Sequence, residues 1–243
     1  MIGVILAAGR GSRLGGISKN KPKSFVNIFK KKKIIEYQIS VLKKINVKKI
    51  IIVIGYKKEF FFKKFSKDKK IIFVINKDWN KSNVLHSFYK VIDYIDDDFI
   101  FVHADSITDV RLYKMFSKSI NSILPYKQKK KYPDEDMKLY IKNKKVLLSK
   151  KNIYNLKPKG EFLGIAYFKR KLVDEFKNKL ELLKKNKKYS SLFFEDLINK
   201  ISKKYIIDII NIGKLRYVEI DFPEDLIEAK TLFKKYLSKF FQV

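Results

Sequence analysis

The residues of this chain best suited to chemistry lie in the stretch VILAAGRGSRLGGISKNKPK, from Val4 to Lys23. The preceding apolar run, Ile2 to Leu6, is too short for a helix and predicts a buried strand that leads into a loop of small residues at positions 7–11. Because such a loop has little side-chain bulk, its backbone N–H groups can approach a nucleotide base and its phosphates. Positive charge comes from Arg10, Arg13, Lys19, Lys21 and Lys23. A polyanion is the ligand that this chemistry favours.

Two familiar phosphate-binding loops do not fit this stretch. A Walker A loop ends in Gly-Lys-Ser/Thr, which is absent, and the dinucleotide fingerprint needs a third glycine where this chain has Leu14. A third pattern fits, namely Leu-Ala-Ala-Gly-x-Gly-x-Arg-Leu followed by Pro22-Lys23. This composite resembles the signature of nucleotidyltransferases, which condense a nucleoside triphosphate with a phosphorylated small molecule and release pyrophosphate.

The hydrophobic pattern predicts an α/β fold with a doubly wound, mixed but mostly parallel sheet, the Rossmann-like fold of nucleotidyltransferases. In the first half, strands at 47–55, 71–75 and 99–103 alternate with helices at 34–45, 56–65 and 83–94. In the second half we predict helices at 109–117, 172–183, 192–201 and 223–233 and strands at 121–125, 137–141, 145–148, 161–168, 206–212 and 217–220. The chain is expected to be one domain, 1–243, with a nucleotide-binding core at about 1–125 and 205–243. A small β-rich acceptor-binding insertion is expected at about 126–204.

Composition limits the classes of function. The 243 residues carry a net charge of +31, from 56 basic and 25 acidic residues, and only five of the basic residues are arginine. The lysines are scattered through every predicted element, so we interpret most as solvated and expect no specific nucleic-acid partner. Cysteine is absent, which excludes disulfides and thiol chemistry. No signal peptide or membrane span is apparent, so we expect a cytoplasmic monomer or homodimer that does not contact a membrane.

Two aspartates follow predicted strands, at the edge where an open α/β sheet binds its ligand. Asp105 follows the strand at 99–103, and Asp221 follows the strand at 217–220. Carboxylates at two strand ends can hold one Mg²⁺ ion together with phosphate oxygens, so Mg²⁺ is the predicted cofactor. The alternative for each aspartate is a turn or helix-capping role.

The likeness extends over nearly the whole chain to the cytidylyltransferase branch of the family, which acts on phosphocholine, 2-aminoethylphosphonate and phosphoramidate-type acceptors. It is carried by segments such as LAAGRGSRLGG, KPK, SNVLHSFY, HADS, DEDMKLYI, GEFLGIAYF and YVEID. The resemblance implies that Arg13 and Lys23 are catalytic contacts to the triphosphate. The implied nucleotide-binding set is Leu6, Ala7, Ala8, Gly9, Gly11, Ser12, Arg13, Lys23, Ser82, Asn83, Ala104 and Asp105. His103 stands where phosphocholine enzymes have an acidic residue.

By the same resemblance, Lys138 and Lys150 would lie near the phosphate or phosphonate of the acceptor. Glu161, Asp134 or Asp136 would meet an ammonium group. The alternative for the two lysines is a solvated position in a hairpin, and for Glu161 a salt bridge at a strand edge.

These expectations combine into one predicted reaction: Mg²⁺-dependent transfer of CMP from CTP to a small phosphate-, phosphonate- or phosphoramidate-bearing acceptor, with release of pyrophosphate. One alternative is a sugar-1-phosphate uridylyl- or guanylyltransferase. Another is a module that binds nucleotide or nucleic acid without catalysis.

Overall fold

The computed structural model describes residues 1–242. Its strands are β1 (Ile2–Ala7), β2 (Asn27–Phe29), β3 (Lys32–Lys33), β4 (Lys49–Ile54), β5 (Ile71–Ile75), β6 (Phe99–His103), β7 (Ser106–Thr108), β8 (Ile123–Lys127), β9 (Lys138–Lys142), β10 (Lys145–Ser149), β11 (Gly160–Phe162), β12 (Ile165–Phe168), β13 (Asp208–Asn211) and β14 (Tyr217–Glu219). Its α-helices are α1 (Ile34–Lys44), α2 (Glu59–Phe65), α3 (Val84–Tyr89), α4 (Val110–Phe116), α5 (Val173–Lys184), α6 (Phe194–Ser202) and α7 (Pro223–Phe241).

Ten strands form one sheet in the order β10-β9-β11-β8-β12-β6-β1-β4-β5, with β13 paired to β8. Strands β6, β1, β4 and β5 are parallel, whereas β10, β11 and β12 run against the other strands. Leu6 of β1 lies beside Val53 of β4 and His103 of β6. The carboxyl ends of these strands therefore meet at one edge, as the predicted mixed, mostly parallel fold requires.

Both faces of the sheet are covered by helices. In β4 the side chains of Ile50, Ile52 and Ile54 pack into one buried cluster with α1, α2, α4 and α7, while Ile51 and Val53 pack into a second with α3, α5 and α6. This alternation explains the continuous β-branched run of β4, because a strand buried on both faces has no polar side. The predicted doubly wound arrangement is confirmed. None of the helices described here combines the length and apolarity that a bilayer crossing requires.

The structure departs from the predicted elements at several places. The predicted strand at 161–168 is two strands, because Gly164 between them adopts a φ of +64° and packs closely against His103. The predicted helix at 83–94 ends at Tyr89 and is followed by a short 3₁₀ helix, Ile92–Tyr94. The predicted helix at 223–233 continues to Phe241. The short strands β2, β3 and β7 were not predicted.

The strands of the predicted insertion at 126–204 join the main sheet. Its assignment to acceptor binding stays a prediction.

A second, two-stranded sheet joins distant parts of the chain. Strand β14 pairs antiparallel with β7, with Glu219 opposite Ser106, and the backbone N–H of Ile220 donates to the carbonyl oxygen of Asp105 at 3.1 Å. Asp221, the next residue, is therefore held beside the turn that carries Asp105.

Helix α1 fixes the same turn through one amide side chain. Gln38 is fully buried. Its Nε2 donates hydrogen bonds of 2.8 Å to the carbonyl oxygens of His103 and Ser106, on either side of Asp105.

We expect Gln38→Leu to lower the free energy of unfolding by about 2–4 kcal/mol, because it removes one buried and one partly buried hydrogen bond to backbone carbonyl groups. Urea denaturation measures this loss. The exposed Gln128 provides the control, and Gln128→Leu should change stability by no more than about 0.5 kcal/mol. Equal effects of the two substitutions would show that Gln38 does not support the turn.

Candidate active site

The glycine-rich loop after β1 is shaped around the side chain of Lys23. Gly11 has a φ of +72°, and a Cβ atom there would lie 2.5 Å from the Cβ of Lys23. At Gly9 an added Cβ would meet nothing within 4 Å. Gly11 is therefore required by the close passage of Lys23, whereas Gly9 borders open space that a ligand can enter.

The Lys23 side chain ends between the two predicted metal ligands. Its Nζ lies 2.8 Å from Oδ2 of Asp105 and also forms an ion pair with Oδ1 of Asp221. The guanidinium of Arg13 reaches the other oxygen of Asp221 at 2.8 Å. Residues that are as much as 208 positions apart in the sequence thus form one charged cluster at the carboxyl edge of the sheet.

The charges of this cluster stabilise one another. Burial opposes ionisation of Lys23, yet the Asp105 and Asp221 carboxylates outweigh it and raise the pKa of the ammonium group. Burial likewise opposes the charged form of Asp105, but the Lys23 ammonium and His103 hold the pKa of that carboxyl below its ordinary value. Both partners are therefore ionised at neutral pH.

A third carboxyl group, that of Glu219, belongs to the same edge. His103, Asp105 and Glu219 each offer one ligand atom, and these three atoms lie within 4.8 Å of one another. Burial and the carboxyls of Asp105 and Asp221 raise the pKa of Glu219 well above its ordinary value. The Tyr217 hydroxyl donates to Glu219 at 3.3 Å.

The arrangement fits a divalent cation. Oδ1 of Asp105 is a buried acceptor to which no group in residues 1–242 donates. Asp221 contributes a second carboxylate, already held next to a cationic group. Carboxylate oxygens at this spacing are the donors that Mg²⁺ and Mn²⁺ prefer in proteins.

The cleft beside the cluster has a volume of about 380 Å³ and is lined by more acidic than basic side chains. Its cationic lining residues are Arg13, Lys127, Lys129 and Lys150. Its carboxylic lining residues are Asp105, Glu135, Asp136, Glu161, Glu195, Glu219, Asp221, Asp225 and Glu228. In a chain with more than twice as many basic as acidic residues, this reversal indicates a site for cations and cation-bearing groups.

A match to a family of known proteins agrees with this geometry. The family model described as nucleotidyl transferase matches residues 2–129, more than half of the 243 residues. The chain belongs to the nucleotidyl transferase family. This confirms the family resemblance and identifies the protein as a nucleotidyltransferase enzyme.

Relatives of this nucleotidyltransferase include cytidylyltransferases. The chain is 27% identical to the CTP:phosphoglutamine cytidylyltransferase of Campylobacter jejuni over 93% of this chain and 98% of that protein. It is 36% identical to the choline-phosphate cytidylyltransferase of Streptococcus pneumoniae over 44% of this chain and 45% of that protein. The predicted resemblance to this branch is confirmed.

Solved structures show the same fold. The CTP:phosphocholine cytidylyltransferase of Streptococcus pneumoniae superposes with a TM-score of 0.80 at 22% identity, covering 96% of this chain and 99% of that one. The inositol-1-phosphate CTP transferase of T. maritima superposes with a TM-score of 0.76 at 20% identity, covering 96% of each chain.

The predicted acceptor residues of the nucleotidyltransferase occupy different positions. Lys150 and Glu161 line the cleft. Lys138 is fully buried, and its ammonium donates to the carbonyl oxygens of Pro133 and Lys150. Its contact with an acceptor stays a prediction, although the structure gives this lysine a role in holding the β9–β10 hairpin.

Of the two predicted aspartates near the acceptor, Asp136 lines the cleft and Asp134 is exposed outside it. Lys129, which was not predicted, lies 2.7 Å from Glu161 and 3.0 Å from Asp136. Burial opposes the charge on Lys129, yet both acids outweigh it and raise the pKa of the ammonium. Nothing in the sequence distinguishes Lys129 from its neighbours.

Two of the predicted nucleotide contacts, Ser82 and Asn83, lie at the amino terminus of α3. The Asn83 side chain caps this helix, accepting from the N–H of Val84 at 2.7 Å, and its Nδ2 donates to the carbonyl oxygen of Ser191. The Ser82 hydroxyl donates to the carbonyl oxygen of Asp78. Their contact with a base, like the contacts predicted for Leu6, Ala7, Ala8, Gly9, Gly11, Ser12 and Ala104, stays a prediction.

The sequence analysis did not predict two residues of the cleft, Glu219 and Glu195, and only Glu219 had a signal in the sequence. Glu219 stands two residues before Asp221 on a strand, and alternation places such residues on one face, so this signal was present. Glu195, in the first turn of α6, is 4% exposed, and burial raises the pKa of its carboxyl against the charge of His103. It reaches the cleft only through tertiary packing.

We expect Lys23→Ala to lower kcat by at least about 100-fold, because Lys23 is predicted to meet the charge that develops on the transferred phosphoryl group. Steady-state pyrophosphate release measures the loss. The exposed Lys31, in the turn between β2 and β3, is the control, and Lys31→Ala should keep normal turnover. Circular dichroism of both variants checks the fold. Near-normal turnover in Lys23→Ala would remove Lys23 from the mechanism.

Glu195 makes stability depend on pH. Because its pKa is raised in the folded state, the carboxyl costs nothing below its unfolded pKa of about 4.3. Its cost in stability grows as the pH rises from the unfolded pKa to the folded pKa and is constant above it. Glu195→Gln should therefore raise the free energy of unfolding at pH 8, and the difference should vanish below about pH 4.

Urea denaturation across this pH range measures the effect, with the exposed Glu181→Gln as control. A gain from Glu195→Gln that is the same at every pH would contradict the assigned cause.

Proposed function

We propose that this chain is a cytidylyltransferase that transfers CMP from CTP to a small phosphate-, phosphonate- or phosphoramidate-bearing acceptor and releases pyrophosphate. The observation that carries the proposal is the Lys23 ammonium, 2.8 Å from Asp105 and paired with Asp221, beside the glycine-rich loop. Support for CTP comes from the relatives, which are named as cytidylyltransferases.

The reaction joins two anions, so neutralising charge is the main task of the site. An oxygen of the acceptor attacks the α-phosphorus of CTP. The new oxygen–phosphorus bond forms as the bond from the α-phosphorus to the oxygen bridging to the β-phosphate breaks, and pyrophosphate leaves with that oxygen. The attacking oxygen is already ionised near neutral pH, so no general base is needed.

Lys23 and Arg13 supply the protein's own positive charge. Both cations are paired with Asp221. The Arg13 side chain is half exposed, so it can turn to the β- and γ-phosphates and retain the departing pyrophosphate. Lys23 is the more buried of the two and meets the α-phosphoryl group, where charge develops.

Asp105 and Asp221 would hold the divalent cation, proposed to be Mg²⁺, which supplies further neutralisation of the triphosphate when bound. A cation held there would replace Lys23 as the counter-ion of the two carboxylates, and the ammonium could then act on the nucleotide. The orphaned Oδ1 of Asp105 supports this assignment.

The acidic lining of the cleft favours an acceptor that carries a positive charge. The cleft already holds one ammonium group, that of Lys129, between the carboxyl groups of Glu161 and Asp136. Two carboxyl groups thus face this one lysine. An acceptor that carries a cationic nitrogen beside its phosphate or phosphonate fits this environment better than a neutral sugar phosphate.

A pyrophosphate-release screen tests the proposal. CTP, UTP, GTP and ATP are each combined with phosphocholine, 2-aminoethylphosphonate, phosphoethanolamine, phosphoglutamine and glucose 1-phosphate in the presence of Mg²⁺. We expect CTP with a nitrogen-bearing acceptor to give a kcat/KM at least about tenfold above every other nucleotide. Asp136→Asn should raise the acceptor KM about tenfold without changing the KM for CTP.

The control is Asp174→Asn, an exposed residue of α5, which should leave both KM values unchanged. A preference for UTP or GTP with glucose 1-phosphate would overturn the proposal in favour of a sugar-phosphate enzyme. Saturable nucleotide binding without turnover on any acceptor would instead indicate a non-catalytic module.

A further inference from the structure

His103 has no part in the proposed transfer, although it lies at the centre of the site. It ends β6 and lines the cleft two residues before Asp105. The same cleft is lined by Asp105, which follows β6, and by Glu195 of α6. An imidazole between carboxyl groups is a donor set that metal ions use.

The spacing of the groups fits direct coordination. One ring nitrogen of His103 and one oxygen each of Asp105 and Glu219 lie within 4.8 Å of one another. A divalent ion bonds such atoms at about 2.0–2.2 Å, so only two ligands on opposite sides of it stand as much as about 4.3 Å apart. The three atoms would each have to move toward a common centre by less than about 0.7 Å to share one ion.

Unpaired atoms provide independent support. Nε2 of His103 and Oδ1 of Asp105 are both buried, and neither has a hydrogen-bond partner within the 242 described residues. A buried polar atom without a partner is costly, so it indicates a missing neighbour. A cation between these side chains would supply that neighbour for the carboxylate oxygen.

The surroundings match the outer shell of a metal site. Ligating carboxylates and imidazoles are held by further polar groups, which fix their orientation. The Tyr217 hydroxyl donates to Glu219 at 3.3 Å. Glu195 is more than nine-tenths buried and lines the same cleft as His103. Gly164 leaves room for the imidazole, since a Cβ there would lie 2.6 Å from Nδ1 of His103.

We propose that His103, Asp105 and Glu219 form a site for one transition-metal ion, of the kind of Mn²⁺, Co²⁺ or Zn²⁺, that fills without nucleotide. The imidazole selects against Mg²⁺, which prefers oxygen ligands alone. This site differs from the proposed Asp105–Asp221 pair, because it uses His103 and Glu219 in place of Asp221, which is paired with both Lys23 and Arg13. It shares Asp105 through Oδ1, since Lys23 is bonded to Oδ2 of that carboxylate. The inference deepens the proposed function, since it concerns the same site, but its test does not depend on turnover.

Metal binding to the nucleotide-free, chelator-treated protein tests the proposal. Mn²⁺ is titrated under electron paramagnetic resonance, and Co²⁺ is followed by its visible absorption. We expect one tightly bound ion per chain, with Mg²⁺ competing at least about 100-fold more weakly. His103→Gln should weaken Mn²⁺ binding at least about 100-fold, and Glu195→Gln, a positioning change, about tenfold.

The second histidine gives a matched control. His86 lies in α3 beside Asp78, and His86→Gln should leave Mn²⁺ binding unchanged. Thermal unfolding by circular dichroism confirms that each variant is folded. Binding that is unaltered in folded His103→Gln, or no binding before CTP is added, would overturn the inference. If Co²⁺ binds through His103 but the pyrophosphate-release screen finds no cytidylyl transfer, only the proposed function fails.

Discussion

The Lys23 ammonium, held between the carboxylates of Asp105 and Asp221, is the interaction on which the site depends. Without a cation between them, two carboxylates this close in a partly buried place would repel each other. The same lysine carries the charge that the proposed transfer needs. Binding of a triphosphate or a divalent cation at this site would therefore exchange partners among charges that are already positioned.

Three local features hold that lysine and its partners in place. Gly11 lets the chain pass against the stem of Lys23. Gln38 fixes the turn that carries Asp105 from the side of α1. The β7–β14 pairing brings Asp221 to the same place. The main sheet provides the edge, and these smaller contacts set the distances at that edge.

The sequence predicted most clearly what depends on local patterning. The buried run of β4 and the alternation of strands and helices were sufficient for the fold class, and strand ends placed Asp105 and Asp221. What it did not predict depends on segments that meet only in the folded chain. Glu195 and Lys129 reach the cleft from α6 and from a basic loop. In the sequence, nothing distinguishes Lys138 from an ordinary hairpin lysine. In the fold, its ammonium donates to two backbone carbonyl oxygens.

The small β7–β14 sheet also sets when the site can come into existence during synthesis. Everything before β13 contains the glycine-rich loop, Lys23 and Asp105 but lacks the strand that closes on β7. A ribosome must therefore translate past residue 221 before the second carboxylate is available. A nascent or prematurely ended chain can form much of the large sheet while remaining chemically incomplete, so unfinished copies would not handle nucleotide as the finished enzyme does.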